Sequence, residues 1–353
     1  MVVDIAICGA GVSGCALAIA LAQAGYSVLM LEREIAPARQ PGESLPPEVR
    51  VPLAALGVWE GFLADGHRPA LGNRAVWGAD VDWGKDFLFN PYGNGWHIDR
   101  YRFDVMLQRA AGAAGAVMHR GINRTETARE DFLWRVSWRD QSGSYTAMAR
   151  FVADATGRAR GLARRLGVAV RRYDRLIGWA GCTPLCGPAD CTTLVEAEPH
   201  GWWYSVPLPS AQHMVAFLSD RGVAPPENFP PHISLRVGNG VWRPRATAAG
   251  SSCLVETAGA GWVAVGDAAA AHDPLSAQGI MRALMSGLRA AEAVTSALAG
   301  RGQALERYAE MQRRAYDAYL IERRDYYRAE GRWPMHSFWS RRHCQTAPLS
   351  QEV

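Results

Sequence analysis

The sequence predicts an α/β fold: a Rossmann-like domain with an inserted antiparallel sheet, followed by a C-terminal helix. Three observations support this fold class. A strand–helix–strand unit with a glycine-rich turn opens the chain within about 30 residues. Alternating apolar residues and frequent prolines at 172–257 are typical of antiparallel strands. Helical periodicity then covers 279–299 and 303–329, after a short buried strand at 262–265.

The opening unit consists of a strand at 3–8, a helix at 15–24 and a second strand at 26–31. The turn after the first strand has the spacing GxGxxG, with Gly9, Gly11 and Gly14. These glycines permit a tight turn, the approach of a pyrophosphate to the backbone and close helix–strand packing. The helix N-terminus offers free N–H groups to phosphates, and Glu32 is placed to accept hydrogen bonds from a ribose. The unit therefore predicts a dinucleotide site.

The remaining pattern predicts the order of elements along the chain. We expect a loop at 37–47, a helix at 49–56, strands within 75–98, a helix at 103–114, strands within 116–155, a short helix at 161–166 and an irregular tail after 331. The first and last strands of the Rossmann-like domain then share one sheet. The predicted domains are 1–75 with 101–170 and 257–302 for the dinucleotide, 76–100 with 171–256 for the substrate, and 303–353 for the C-terminal helix and tail.

Composition excludes several classes of protein. Of the 353 residues, 48% are hydrophobic and 20% charged, which is ordinary for a globular chain. The net charge of +4 is too small to indicate nucleic acid or a membrane surface as a partner. Seven cysteines with no CxxC pair favour a reducing compartment, so we expect a cytoplasmic protein without a metal site. No uninterrupted apolar stretch is long enough to predict a membrane span.

Three dispersed segments resemble the flavoprotein monooxygenases of the para-hydroxybenzoate hydroxylase fold. They are the GxGxxG turn with Glu32-Arg33, then Asp154-Ala155-Thr156-Gly157-Arg158, then Gly266-Asp267-Ala268-Ala269 with Asp273-Pro274 and Gly279-Ile280. The resemblance implies that the dinucleotide is FAD and that the domain is of the GR2 type. Because there is no second glycine-rich nucleotide unit, either NAD(P)H visits transiently or a separate flavin reductase supplies reduced flavin.

A narrower resemblance is to the branch that contains flavin-dependent halogenases. Pro41-Gly42-Glu43-Ser44-Leu45-Pro46 is similar to a segment of that branch, and Trp202-Trp203-Tyr204-Ser205-Val206-Pro207 resembles its WxWxIP segment. Two features depart from the halogenases. Tyr204 stands where the second tryptophan is expected. Halogenases also use a lysine to relay hypohalous acid, and Lys85, the only lysine, lies far from Glu43 in the sequence.

Within this branch the chain resembles most the maturation flavoproteins of quinone-cofactor oxidases. The resemblance lies in Asn90-Pro91-Tyr92-Gly93, in Gly95-Trp96-His97-Ile98-Asp99-Arg100, and in the tail Arg332-Trp333-Pro334 with Phe338-Trp339-Ser340-Arg341-Arg342. It implies an FAD-dependent monooxygenase that uses O₂, through a flavin C4a-hydroperoxide, to hydroxylate a tryptophan of a partner polypeptide. The alternatives are a halogenase of a small aromatic substrate, a prenyl-chain reductase and a flavin-bound assembly factor without turnover.

The candidate site residues follow from these motifs and from side-chain chemistry. For the catalytic chemistry we expect Glu43, Ser44, His97, His272 and Asp273. For cofactor binding we expect Gly9, Gly11, Val12, Ser13, Gly14, Glu32, Arg33, Arg100, Asp154, Gly157, Gly266, Asp267, Pro274, Gln278, Gly279 and Ile280. For the substrate pocket we expect Trp202, Trp203 and Tyr204.

Overall fold

The structure is a computed structural model that describes residues 1–37, 41–185, 190–237, 240–344 and 349–352. Its strands are β1 Val2–Cys8, β2 Val28–Leu31, β3 Ser44–Leu45, β4 Arg68–Ala70, β5 Gly72–Val76, β6 Asp82–Asp86, β7 Gly95–His97, β8 Val117–His119, β9 Arg124–Glu130, β10 Leu133–Arg139, β11 Ser144–Asp154, β12 Val170–Arg172, β13 Leu176–Pro184, β14 Thr192–Glu198, β15 Gly201–Pro207, β16 Gln212–Asp220, β17 Arg245–Ala248, β18 Ser252–Leu254, β19 Ala258–Gly259, β20 Trp262–Ala264, β21 Ala270–Ala271 and β22 Ser350–Glu352. Its α-helices are α1 Val12–Gln23, α2 Arg50–Ala55, α3 Trp59–Ala64, α4 Arg100–Ala113, α5 Gly161–Arg165, α6 Pro231–Ser234, α7 Gly279–Leu298, α8 Ala304–Ala329 and α9 Ser337–Cys344.

The predicted strand–helix–strand opening is confirmed. Strand β1 pairs in parallel with β2 and with β11, and β20 joins on the other side of β11, which gives the sheet order β19-β20-β11-β1-β2-β8. One face of this sheet is covered by α1, which packs directly on α7. The two helices approach closely at Gly287, where an added Cβ would lie 2.6 Å from the Ser13 carbonyl oxygen. The N-terminal and late segments therefore form one layer around one core.

The predicted antiparallel sheet is present and has seven strands in the order β17-β13-β16-β15-β14-β5-β6. Strand β5, which spans the predicted boundary at 75/76, belongs to this sheet and pairs in parallel with β14. A small three-stranded sheet, β3-β7-β4, lies beside it. A further four-stranded sheet joins β21, β18, β12 and the C-terminal strand β22. The domain division itself stays a prediction.

The expectation of an irregular tail is wrong. Helix α9 follows α8, and its Phe338 and Trp339 are almost completely buried against Tyr327. The Trp339 ring also meets Trp77, at a centroid distance of 5.3 Å. Burial of these rings stabilises a helix too short to persist on local propensity alone. Within the described residues, no helix is long and apolar enough to cross a membrane.

Candidate active site

The glycine-rich turn has the geometry that phosphate binding requires. Gly9 has φ +104°, and a Cβ there would lie 2.3 Å from the Ala155 carbonyl oxygen, so only glycine fits. Gly14 is equally restricted, because its Cβ would meet the Gly9 carbonyl oxygen at 2.3 Å. A Cβ on Gly11 would meet nothing within 4 Å. Since no side chain caps the start of α1, its first N–H groups, from Val12 onward, remain available to an anion.

Glu32 lies at the end of β2, where a ribose hydroxyl would be bound. Its Oε2 accepts a hydrogen bond from the Ala10 backbone N–H at 2.6 Å, and its Oε1 accepts one from the Glu34 N–H at 3.0 Å. Each oxygen has a second lone pair that a ribose could use. The Arg33 side chain is 81% exposed and pairs with Glu34, so the structure gives it no contact with the turn.

The third motif lies directly against the first. Gly266 has φ +58°, and a Cβ there would lie 2.4 Å from Ser13 Oγ. The Asp267 carboxylate is 42% exposed and is 3.4 Å from Arg158 Nε. The predicted residues Ser13, Gly266 and Asp267 therefore converge, although more than 200 residues separate the first from the others.

The carboxylate of the middle motif, Asp154, bonds to other groups of the protein. Asp154 is fully buried and accepts four hydrogen bonds, from the Thr156 N–H and hydroxyl and from the Leu162 and Ala163 N–H groups. It thus caps α5, and its role in cofactor binding stays a prediction. Gly157 has φ +62° and allows the turn between them. Sequence reasoning missed Arg160, which is buried and donates to the Ala268 carbonyl and to Ser252.

Arg100 joins the proline–glycine loop to helix α4. Its Nε donates to both oxygens of Asp104, and its Nη1 donates to the Pro41 carbonyl at 3.1 Å. A Cβ on Gly42 would lie 2.7 Å from Arg100 Nη1 and 3.5 Å from Ile280 Cδ1. Gly42, Glu43, Arg100, Tyr204 and Ile280 are referred to below as the Glu43 cluster.

The N-terminus of α7 is open as well. Gln278 is its N-cap residue and makes no side-chain capping bond, and an added Cβ on Gly279 would meet nothing within 4 Å. Pro274 begins the 3₁₀ turn Pro274–Ser276 just before it. The open Gly11 turn, Glu32 and the α7 N-terminus together fit an extended dinucleotide such as FAD. Within the described residues, no group of three or more histidine, cysteine or acidic side chains could hold a metal ion.

A continuous row of hydrogen bonds leaves the Glu43 cluster. The Tyr204 hydroxyl donates to Ser44 Oγ at 3.1 Å, and Ser44 Oγ lies 2.8 Å from Thr193 Oγ1. Thr193 Oγ1 lies 3.1 Å from Nε2 of His97, which is completely buried. We call these four residues the hydroxyl path. Three of them were predicted site residues, but Thr193 was missed because nothing in its local sequence marks it.

Burial controls the protonation of this region. It raises the pKa of Glu43 to about 7, although the Gly42 N–H and the Arg100 charge act in the opposite direction. Burial also raises the pKa of Tyr204, and the nearby Glu43 charge adds to this. It lowers the pKa of His97 to about 3, with a further contribution from the charge of Arg68. Near pH 7 the ring of His97 is therefore neutral and Glu43 can gain or lose a proton.

The two other acid–base candidates, His272 and Asp273, lie in a separate region that packs against α8. Asp273 Oδ2 accepts from Arg323 Nε at 3.2 Å and from the Tyr327 hydroxyl at 2.8 Å, and Arg323 Nη2 also donates to Asp174 at 2.6 Å. Trp202 Nε1 donates to the Tyr327 hydroxyl. These five residues are called the anchor cluster below. The His272 ring meets that of Tyr319 edge to face at a centroid distance of 4.5 Å, and burial lowers the pKa of the His272 ring to about 3.

These contacts place the predicted site residues in different parts of the structure, while their roles stay predictions. His272 and Asp273 belong to the packing of α8 and do not join Glu43, Ser44 and His97. The three consecutive aromatic residues also do not form one pocket, because side chains alternate between the faces of a strand. Trp202 packs in the core that contains Tyr327, whereas Trp203 lies on the opposite face of the sheet with Phe217 and Phe229.

Comparison with known proteins identifies the family. A family model described as tryptophan halogenase matches residues 86–352, and a model of FAD-dependent oxidoreductases matches residues 4–44. The chain belongs to the tryptophan halogenase family. This family relationship agrees with the dinucleotide turn described above and makes the chain an FAD-dependent enzyme.

Three relatives of this tryptophan halogenase family member cover nearly all of its length. LodB of Marinomonas mediterranea, provisionally described as an FAD-dependent oxidoreductase, is 26% identical over 371 aligned positions, 98% of each chain. The myxobacterial chondrochloren halogenase CndH superposes with a TM-score of 0.84 and 27% identity, over 97% of this chain and 86% of that one. The peptidyl tryptophan dihydroxylase QhpG superposes with a TM-score of 0.78 and 23% identity, over 97% and 79%.

Proposed function

We propose that this chain is an FAD-dependent monooxygenase that hydroxylates an aromatic ring, and that the ring is a tryptophan side chain of a partner polypeptide. One observation favours hydroxylation over halogenation. The polar side chains around Glu43 are a carboxyl group, a phenol, hydroxyls and a guanidinium, without an ammonium group. Lys85, the only lysine of the sequence, is exposed on the edge strand β6.

Each part of the site has a separate task in this proposal. The Gly11 turn, Glu32 and the α7 N-terminus would hold FAD, which supplies O₂ activation when bound. The aromatic ring supplies the electron pair for the new C–O bond, so the protein needs no strong nucleophile. Glu43 can take the proton that the ring loses, because its raised pKa lies near physiological pH. The buried walls around Glu43 keep bulk water away from the reaction.

The choice of a polypeptide substrate is supported by one of the structural relatives. QhpG is described as a peptidyl tryptophan dihydroxylase that is essential for tryptophylquinone cofactor biogenesis, and it superposes over 97% of this chain and 79% of its own. We extend that substrate class to this chain as a proposal.

The test is intact mass spectrometry of the polypeptides encoded beside the gene of this chain. Each is incubated with the FAD-loaded protein, NADH, a flavin reductase and ¹⁸O₂, in buffer that contains chloride and bromide. We expect one polypeptide to gain one or two ¹⁸O atoms on a tryptophan. The Lys85→Ala variant should give the same product at the same rate.

Three other results would contradict the proposal in different ways. Halogen transfer to a free aromatic compound, lost in Lys85→Ala, would indicate a halogenase. Saturation of an added prenylquinone without O₂ would indicate a prenyl-chain reductase. Oxygen consumption that yields only H₂O₂, with every polypeptide unchanged, would indicate an assembly factor.

A further inference from the structure

The outer end of the hydroxyl path, His97, is the cross-strand neighbour of Arg68, a residue that lines a surface groove. In the three-stranded sheet, His97 on β7 is the direct cross-strand partner of Ser44 on β3 and of Arg68 on β4. Directly paired residues project to the same face of a sheet. Ser44, His97 and Arg68 therefore form one row that runs across this sheet.

The outer end of the row has unused hydrogen-bonding capacity. Nδ1 of His97 and Nε of Arg68 are both buried, and neither has a hydrogen-bond partner among the described residues. Arg68 lines an open groove of about 510 Å³, together with Gly66, Pro69, Leu71, Cys191 and Pro209. His67 and His213 each also have a buried ring nitrogen without a described partner, but the His97 ring is the one that continues the hydroxyl path through its Nε2.

We propose that Tyr204, Ser44, Thr193 and His97 conduct protons between the flavin, bound beside the Glu43 cluster, and solvent in the groove at Arg68. This proposal rests on the FAD-dependent part of the proposed function and not on the choice of substrate. Reoxidation of reduced FAD by O₂ takes up one proton, since FADH⁻, O₂ and H⁺ give FAD and H₂O₂. The buried site needs a route for that proton.

The transfer balances along the path. A proton from the groove binds Nδ1 of His97 while Nε2–H passes its proton to Thr193 Oγ1. Thr193 passes its own proton to Ser44 Oγ, Ser44 passes one to the Tyr204 hydroxyl, and Tyr204 releases one toward the flavin. One proton enters and one leaves. The hydroxyls then point from Tyr204 toward His97, which is the direction of the Tyr204–Ser44 bond in the structure.

The path also requires a neutral imidazole, because only a neutral ring accepts at one nitrogen and donates from the other. Burial keeps His97 neutral at physiological pH, since it lowers the pKa of the ring to about 3. A solvent-exposed histidine, which is half charged near its ordinary pKa, would block the path each time it bound a second proton.

The experiment compares two neighbouring threonines. Thr193→Val removes one link of the path and nearly preserves the volume, whereas Thr192→Val changes a hydroxyl that bonds Asp190 and Arg236 on the other face of the sheet. FAD-loaded protein is reduced and mixed with O₂ in a stopped-flow instrument, without any aromatic substrate, in H₂O and in D₂O. We expect Thr193→Val and His97→Gln to slow reoxidation by at least about tenfold and to change its solvent isotope effect.

Control variants separate conduction from folding. Thr193→Ser keeps the hydroxyl and should restore the wild-type rate, and Thr192→Val should stay within about twofold. In FAD-free protein labelled with ¹⁵N-histidine, NMR should show that Thr193→Val alters the His97 Nε2 resonance, which confirms that the link is broken. Wild-type reoxidation and isotope effect in that same variant would overturn the proposal. Because the assay uses O₂ alone, this failure is distinguishable from a failure to modify any polypeptide.

Discussion

The hydroxyl path and the anchor cluster are both buried and hydrogen-bonded, but their polar atoms are paired to different degrees. In the anchor cluster, the guanidinium of Arg323 lies between Asp174 and Asp273, and both carboxylates accept further hydrogen bonds. The hydroxyl path is built from neutral groups and ends at a histidine nitrogen without a described partner. A closed ionic network fixes one packing, whereas an open row of neutral groups can exchange protons with its surroundings.

This difference separates residues that look equivalent in the sequence. His97 is fully buried and His272 is half-buried, and desolvation lowers the pKa of each ring to about 3. Only His97 lies in a row of hydroxyls that leads to the Glu43 cluster. We therefore propose that His272 and Asp273 serve the attachment of α8 and that His97 and Ser44 serve the chemistry.

The largest expected effect comes from breaking the anchor cluster. Arg323→Met leaves two buried carboxylates without their cation, so we expect the free energy of unfolding to fall by about 3–5 kcal/mol. Urea denaturation followed by circular dichroism measures this. Arg324→Met is the matched control, because the neighbouring Arg324 pairs, among the described residues, only with Asp325 at the surface. Its loss should change stability by less than about 0.5 kcal/mol. Equal effects of the two variants would show that the buried network does not hold α8 in place.

The second largest expected change in stability is an increase, and it comes from a variant in the Glu43 cluster. Because the folded-state pKa of Glu43 is raised to about 7, its contribution to stability is present at acidic pH and is lost as the pH rises. Glu43→Gln removes this ionisation. In FAD-free protein at pH 8, we expect the variant to be more stable than the wild type by about 3 kcal/mol. The difference should vanish near pH 4, and an equal difference at both pH values would contradict the raised pKa.

A third, smaller effect is expected at acidic pH from His97. Its folded-state pKa lies below that of the unfolded chain, so the unfolded state binds the extra proton and stability falls as the pH drops below about 6.5. By pH 5 this one group should cost about 2 kcal/mol. His97→Gln should therefore flatten the loss of stability between pH 6.5 and pH 5. Parallel profiles of stability against pH for the wild type and the variant would contradict the lowered pKa, because His97 would then bind its proton equally in the folded and the unfolded protein.

Much of the fold could be predicted because its signals are local. The GxGxxG turn, helix α1 and strand β2 lie within 30 residues, and the periodicity of α7 and α8 predicts both helices nearly to the residue. Helix α9 could not be predicted, since its stability depends on contacts with residues far away in the sequence. The site shows the same limit: 149 positions separate Ser44 from Thr193, and 149 separate Asp174 from Arg323. Sequence motifs located the candidate residues but could not sort them into two clusters.

The smallest expected change in stability is that of Gly11→Ala. Its comparison with Gly9→Ala distinguishes a glycine needed for FAD binding from a glycine needed for folding. At Gly9, alanine would combine a positive φ with a Cβ 2.3 Å from the Ala155 carbonyl oxygen, so Gly9→Ala should destabilise the fold itself. At Gly11 the Cβ of alanine enters open space, so Gly11→Ala should change the free energy of unfolding of FAD-free protein by less than about 0.5 kcal/mol.

The same Gly11→Ala methyl group would occupy the position from which a pyrophosphate approaches the turn. We therefore expect its Kd for FAD, measured by quenching of flavin fluorescence, to rise at least about tenfold, which corresponds to about 1.4 kcal/mol. The measurement isolates binding from folding because the variant keeps the wild-type structure without cofactor. Unchanged FAD affinity in a stable Gly11→Ala protein would mean that the phosphates do not contact this turn, and the placement of the flavin beside the Glu43 cluster would lose its main support.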